Sequence, residues 1–326
     1  MHKRASRQAG SSDLRRREIT LNWWAGLISL RRIIAAAILA PCLMLVLAGC
    51  SDASGDATDG PAPNPLLYEI ASADGAVEGW LLGTIHALPD GVDWQTSEIA
   101  RVMAQADMLV VEIASLDDGQ TVASAFATLS TTPRLPPLAQ RVPEHLTAPL
   151  ASLMDRGGIG AQRFTAMETW AAAITLAQIN AVGDPANGVD RALIRDFAGR
   201  PIRELEGAKA QLAIFDRLPE AQQRAMLAAV IRESDDAGRD PARLQRAWLA
   251  GDVNTIERST HTGILADPTV RDALLVARNR RWAGALGAAL EQPPRPLIAV
   301  GAAHLVGSEG LVSLLAAQGY RVRRLP

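Results

Sequence analysis

Residues 296–325 read PLIAVGAAHLVGSEGLVSLLAAQGYRVRRL. A short apolar run comes first, then Gly301, two residues and His304. The rest alternates as a helix (308–319) and a strand (320–325), so the chain ends as an α/β unit. More than two hundred residues earlier, VEGWLLGTIHALPDG (77–91) repeats the frame: an apolar run, Gly83, two residues, His86, then a glycine-containing turn. The chain has five histidines, and two of them stand in one frame.

Around the first copy, LLYEIAS (66–72), a turn at 73–76 and VEGWLLGTIH (77–86) read as a β-hairpin. A helix follows over 96–106, with Thr96 or Ser97 as N-cap. MLVVEIA (108–114) then reads as a buried strand. Strand, helix, strand predicts a crossover unit in a mixed, partly parallel sheet. Helical spacing dominates the middle, over roughly 117–129, 144–155, 161–181, 189–198, 207–217, 219–234, 241–250, 252–260 and 268–291, broken by a short strand at PIRELE (201–206). The predicted fold class is therefore α/β, with a sheet built from both ends of the domain and a large helical segment (about 140–291) between. No solenoid-type repeat is present.

The leader is separate from this domain. RRIIAAAILAPCLMLVLAGC (31–50) places two arginines before an apolar stretch that is short for a membrane span, the layout of a secretory signal. Its end, Leu47-Ala48-Gly49-Cys50, resembles the lipobox of bacterial lipoproteins, in which the cysteine is lipidated and becomes the first residue. The alternatives are an ordinary signal peptide or an uncleaved anchor. On the lipoprotein reading 1–49 is a leader, 50–65 (CSDASGDATDGPAPNP) a flexible tether, and 66–326 the folded domain. Membrane attachment is then through Cys50. Ser51 in the next position favours the periplasmic face of the outer membrane.

Composition narrows the partners. Arginine almost replaces lysine, with only Lys3 and Lys209 in the chain. Residues 1–49 hold eight of the 33 basic and two of the 35 acidic residues, which leaves 25 against 33 and a net of −8 beyond them. Such a domain is a poor partner for nucleic acid. Both cysteines, Cys42 and Cys50, fall in the leader or at its end, so the domain holds no thiol nucleophile, thiolate metal site or disulfide. There is no G-x-S-x-G, HExxH, P-loop or GxGxxG, which lowers the serine-hydrolase, zincin, NTPase and dinucleotide readings.

The residues left to carry chemistry cluster at predicted strand ends, where open α/β sheets bind ligands. Two neutral imidazoles, His86 and His304, are able to hold a divalent metal there. Glu112, ending MLVVEIA, is a candidate metal ligand or general base, because a carboxylate finishing a buried strand is costly unless paired or coordinating. Glu206 follows a strand in the same way and is a further candidate ligand. Arg278 and Asn279, in the polar break VARNRRW, are candidates for holding substrate. The plain alternatives are loop histidines satisfied by backbone, an exposed glutamate, a helix-capping glutamate and a solvated helix face. Glu168 and Trp170 read as helix packing, and His145 and His261 as surface.

Taken together, LLGTIHALPDG, DMLVVEIA, GVDRALIRDFAGRPIRELEGAKAQLAIFDRLP, ARNRRW and the closing segment resemble the TraB/GumN family over about residues 66–326. The resemblance implies a two-GxxH α/β fold similar to that of erythromycin esterases and the haem-associated ChaN proteins. It also implies peptidase-like chemistry, since the Tiki members are regarded as metal-dependent proteases acting on the N-terminus of Wnt. Carried onto this chain, His86, His304 and Glu112 match the proposed metal or catalytic positions, with Glu206, Arg278 and Asn279 in further characteristic segments. Relatives often read LET-x-E-E-Q where this chain has LEGAKAQ, so polar residues are lost there while Glu206 and Gln211 remain. The expectation is a metal-dependent hydrolase using Mn²⁺, Co²⁺ or Zn²⁺ on a peptide or small molecule. The other reading is capture of a peptide signal or haem at the same cleft without turnover. A role in exopolysaccharide export rests on the GumN name alone.

Overall fold

A computed structural model describes residues 62–116, 118–236 and 240–326. The leader, Cys50 and most of the tether lie outside the described residues, and with them the lipidation site. Among the described residues no helix is long and apolar enough to cross a membrane.

Strands β1 (Leu67–Ala71) and β2 (Val77–Thr84) form the expected antiparallel hairpin, with Leu67 opposite Leu82 and Ile70 opposite Gly79. Its turn is set by Ser72 Oγ donating to Asp74 Oδ1 at 2.6 Å and by Gly75, whose φ of 94° suits glycine. Helix α1 (Ser97–Gln105) is capped by Thr96, whose hydroxyl accepts from the Ile99 amide, and buries Ile99, Val102 and Met103. Strand β3 (Met108–Val111) follows.

The helical segment runs through α2 (Gly119–Leu129), α3 (Thr147–Arg156), α4 (Thr169–Ala177) and α5 (Val189–Asp196) to strand β4 (Ile202–Glu204). It continues as α6 (Ala208–Asp216), α7 (Glu220–Asp235), α8 (Arg243–Ala250), α9 (Val253–Ser259), α10 (Pro268–Arg271) and α11 (Ala277–Leu290). The chain closes with β5 (Pro296–Gly301), α12 (Leu311–Ala317) and β6 (Arg321–Arg324).

The sheet order is β4-β3-β5-β2-β1-β6. Strand β5, from the far end of the sequence, lies between β3 and β2 and is parallel to both. Strand β4 is parallel to β3, whereas β1 runs against β2 and β6. The mixed α/β architecture built from both ends of the domain is thus present. Because β5 and most of β2 are covered on both faces, they read as continuous apolar runs rather than as alternation.

Two predicted helices are interrupted, each for a visible reason. The span 161–181 is a 3-10 turn at Ala161–Phe164, then α4, then a second 3-10 turn at Gln178–Asn180. Residues 166–168 are instead drawn into backbone pairing with 130–132, through Thr132 N to Ala166 O (2.9 Å) and Glu168 N to Ser130 O (2.8 Å). Tertiary hydrogen bonds there override helical propensity. The span 268–291 contains a π turn at Asp272–Val276 that joins α10 to α11.

Two apolar clusters hold the domain. One sits on the sheet and includes Leu81, Leu109, Ile298, Trp248 and Trp282. The other lies within the helical segment, where Trp170 stacks on Phe215 (6.0 Å between centroids) and meets Phe126 edge-on. Truncating Ile298, fully buried in the middle of β5, to alanine is expected to cost about 2–5 kcal/mol in urea unfolding. Val322→Ala on the edge strand β6 should cost less.

Candidate active site

Four neighbouring strands point the same way, so their C-terminal ends form one edge. Along it the chain delivers Glu206 after β4, Glu112 after β3, Gly301 and His304 after β5, and His86 after β2. Gly301 marks the meeting point: a Cβ there would lie 3.4 Å from Glu112 Oε1, 3.7 Å from His304 Cδ2 and 4.0 Å from His86 Nε2. The three residues expected to share a site do converge, with Glu206 one strand further along.

Arg278 occupies the centre of this edge. It is 4% exposed and lies over the Trp282 ring at 4.5 Å. Its Nη2 donates to Glu112 Oε2 at 2.7 Å and stands 3.0 Å from Glu206 Oε2. Nε donates to the Glu206 carboxylate at 3.0 and 3.2 Å, and Nη1 reaches Leu274 O (3.0 Å) and His304 Nε2 (3.1 Å). Each guanidinium nitrogen has a protein partner. Asn279, 1% exposed, is also engaged at both ends: Nδ2 donates to Glu309 O at 2.8 Å and Oδ1 meets His304 Nδ1 at 2.5 Å. Arg278 and Asn279 therefore brace the site from within, both buried and bonded to protein groups.

This network fixes the state of His304. The Asn279 amide gives its N–H groups to Glu309, so its oxygen accepts and His304 Nδ1 carries the proton. Nε2 is then the acceptor for Arg278, which has only donors. Burial and the adjacent Arg278 charge push the His304 pKa down to about 3, so the ring is neutral.

His86 is in the opposite state. Its Nδ1 is 2.8 Å from Asp190 Oδ2, and the other Asp190 oxygen accepts from Thr84 Oγ1 at 2.8 Å. Burial works against a charged ring here. Asp190, through charge and hydrogen bond, outweighs it with help from Glu112, and the His86 pKa is raised to about 9. Nε2 faces the cavity, and the side chain is 22% exposed.

Asp190 was not among the residues singled out from sequence. Its signal was there, since Asp190, Leu193 and Phe197 share one helical face and all three are buried. A carboxylate in the first turn of α5 also reads as simple dipole chemistry, which hid it. Glu112 is held ionised: burial raises its pKa, but Arg278, His86 and the Gly301 amide (2.8 Å to Oε1) bring it down to about 2. Trp170 is fully buried and His145 and His261 are exposed, as expected, whereas Glu168 is half-buried and precedes α4 rather than packing within it.

The site opens into a cavity of about 150 Å³ where the two apolar clusters meet, lined by Phe215, Trp248, Ile256, Leu265 and Leu274 besides the polar residues. A divalent metal there needs several open donors. Both ring nitrogens of His304 are engaged, and the Arg278 cation sits between the two carboxylates. Among the described residues no group of three or more His, Cys, Asp or Glu is placed to hold an ion. His86 Nε2 is the open nitrogen, and this arrangement does not fit a metal centre.

Stability should follow these states. His86 binds its proton more tightly folded than unfolded, so its contribution is complete below the ordinary pKa of about 6.5 and is lost as pH rises through about 9. His304 and Glu112 bind theirs less tightly folded, so their contributions are lost as pH falls toward about 3 and about 2. Calorimetry should place the highest Tm near pH 6.5, with a fall on each side. His86→Gln should remove the alkaline fall and keep the acid one.

Comparison with known proteins places the chain in a family. The chain is 27% identical over 242 residues to the uncharacterized protein YbaP of Escherichia coli (strain K12), covering 72% of this chain and 86% of the relative. The uncharacterized YbaP of Shigella flexneri matches to the same extent. No solved structure is significantly similar to the chain. The sequence model of the TraB/PrgY/gumN family matches residues 66–324, the whole α/β unit with both GxxH frames, and the chain belongs to that family.

Proposed function

We propose that the domain is a hydrolase that cleaves a peptide-like substrate held in the cavity at the strand edge, with His86 moving the proton. The observation that carries this reading is the state of His86: Nδ1 is tied to a buried carboxylate and Nε2 is open toward the cavity. That is the arrangement of an oriented general base. With the ring neutral, Nε2 takes a proton from water as the water oxygen attacks the substrate carbonyl. Asp190 holds the Nδ1–H and stabilises the imidazolium that forms. The same proton then passes from Nε2 to the leaving amine. Glu112, Arg278, His304 and Asn279 form the rigid polar wall that places His86 and limits water. No step needs a metal ion, although the family resemblance implies one.

The leader and the LAGC motif support a cell-envelope location, with the domain tethered through lipidated Cys50 on the periplasmic face of the outer membrane. An acidic domain suits a substrate in the periplasm rather than nucleic acid.

Peptide-library cleavage with the full-length chain tests this reading. His86→Ala should lower kcat/KM by about 10²–10⁴-fold. For the wild type, kcat/KM should rise with pH and level off above about 9, following the neutral fraction of His86 in the free enzyme. In Asp190→Asn burial is no longer outweighed, so the limb should move to below about 6.5 while the plateau drops. Chelation should leave the rate unchanged. A rate lost to chelator and restored by Mn²⁺, Co²⁺ or Zn²⁺ would return the mechanism to a metal. Saturable peptide binding without cleavage at any pH would favour capture instead.

A further inference from the structure

The cavity wall carries one buried polar atom with nothing to bind. Gln211 lies one turn into α6, with its amide on Gly207 O, and its side chain lines the cavity together with His86 and Glu112. Its Oε1 is buried and has no hydrogen-bond partner among the described residues. Buried acceptors are normally satisfied, and one left open in a site points to a donor supplied from outside. No described side chain supplies it: Arg278 and Asn279 are engaged with Glu112, Glu206, His304 and backbone carbonyls, and the His86 ring stands outside hydrogen-bond reach of it. Around Gln211 the wall is apolar: Ile214 and Phe215 follow on its own helical face, and Ala177 and Leu274 also line the cavity.

A second cavity of about 540 Å³ adjoins the first and shares Ala177, Leu244, Ser259, Leu265 and Ala303 with it. A ligand that meets all three conditions has an N–H donor, an apolar group beside it, and a chain that continues into the second space.

We infer that Gln211 is a substrate-binding residue whose Oε1 accepts a backbone N–H of a peptide, with an adjacent apolar side chain of that peptide filling the inner cavity and the rest of the chain running through the adjoining one. This rests on the hydrolase reading for where the substrate lies, and it adds the substrate class: peptides with an apolar residue beside the recognised amide.

The test is an N-methyl scan. Capped hexapeptides are screened against the full-length chain, and the best is remade with each backbone N–H methylated in turn. With the wild type, an apolar residue should dominate at one position, and methylation of one amide should lower kcat/KM by about tenfold or more. In Gln211→Met, of similar volume but without the acceptor, that penalty should vanish, and the unmodified peptide should lose about the same factor through KM. Gln211→Glu keeps an acceptor and should keep the penalty, which a purely structural role for Gln211 would not produce.

Identical scan profiles in wild type and Gln211→Met overturn the inference and leave the hydrolase reading standing. If the wild type cleaves nothing, the scan is read by fluorescence anisotropy on the labelled peptides. A Gln211-dependent penalty in binding then supports the inference while the hydrolase reading falls. Absence of binding by any peptide at millimolar concentration overturns the inference.

Discussion

The buried guanidinium of Arg278 holds the site together. One cation faces two carboxylates at 2.7–3.0 Å, one after β3 and one after β4, and it also reaches the imidazole delivered by β5. Burying three charges carries a desolvation cost that their attraction offsets only when every lone pair and proton is used. Here each guanidinium nitrogen is used, so the group is worth most as geometry. Loss of Arg278 alone would leave Glu112 buried without its counter-ion and Glu206 with only Arg281, a disruption of about 3–5 kcal/mol. Arg281, from one turn's edge further along α11, also touches Glu206 at 3.0 Å, but it is exposed and adds little. The π turn before α11 belongs to the same device: Leu274, within it, offers the carbonyl that takes one of the Arg278 protons.

From that cation the two GxxH frames diverge. Each puts a histidine after a parallel strand at the same sheet edge. His304 lies against Arg278, and the charge and burial hold it neutral to about pH 3. His86 lies beyond Arg278's hydrogen bonds and beside Asp190, which holds it protonated to about pH 9. Two copies of one motif thus carry titrating groups about six units apart, through neighbours that the motif does not contain. Separation of this kind assigns different work to like residues. One imidazole is an acceptor built into a wall, and the other is a proton carrier open to a cavity.

Much of this was legible in the sequence, and the gaps have physical causes. The strands at 77–84, 108–111 and 296–301 are short apolar runs bounded by turns, and such runs are readable because they are buried on both faces. His86, His304 and Glu112 were readable as a group because parallel strands end at one edge. The place of β5 between β2 and β3 was not readable, since periodicity reports burial and not neighbours. Arg278 in ARNRRW was readable as a site residue but not as the brace of two carboxylates, since nothing local says what a helix face will meet. Asp190 was missed for a related reason: a carboxylate at a helix start has a sufficient local explanation, and the second role exists only in three dimensions.

The insertion of β5 has a consequence for how the site forms. Residues 67–84 can pair as a hairpin early, but Glu112 Oε1 gains its backbone partner only when the Gly301 amide arrives from 189 residues away. Until then Glu112 has no reason to leave water, and Arg278 has no second carboxylate to join to Glu206. The charged cluster therefore cannot assemble piecemeal without exposing one partner to an apolar surface. Contacts at such separation close slowly, because loop entropy is lost before they are made. The apolar pairing of β5 with β2 and β3, Leu81 beside Ile298 and Leu109 beside Leu297, supplies the drive that the charges lack. The sheet thus forms the site, and the charges only select its final geometry.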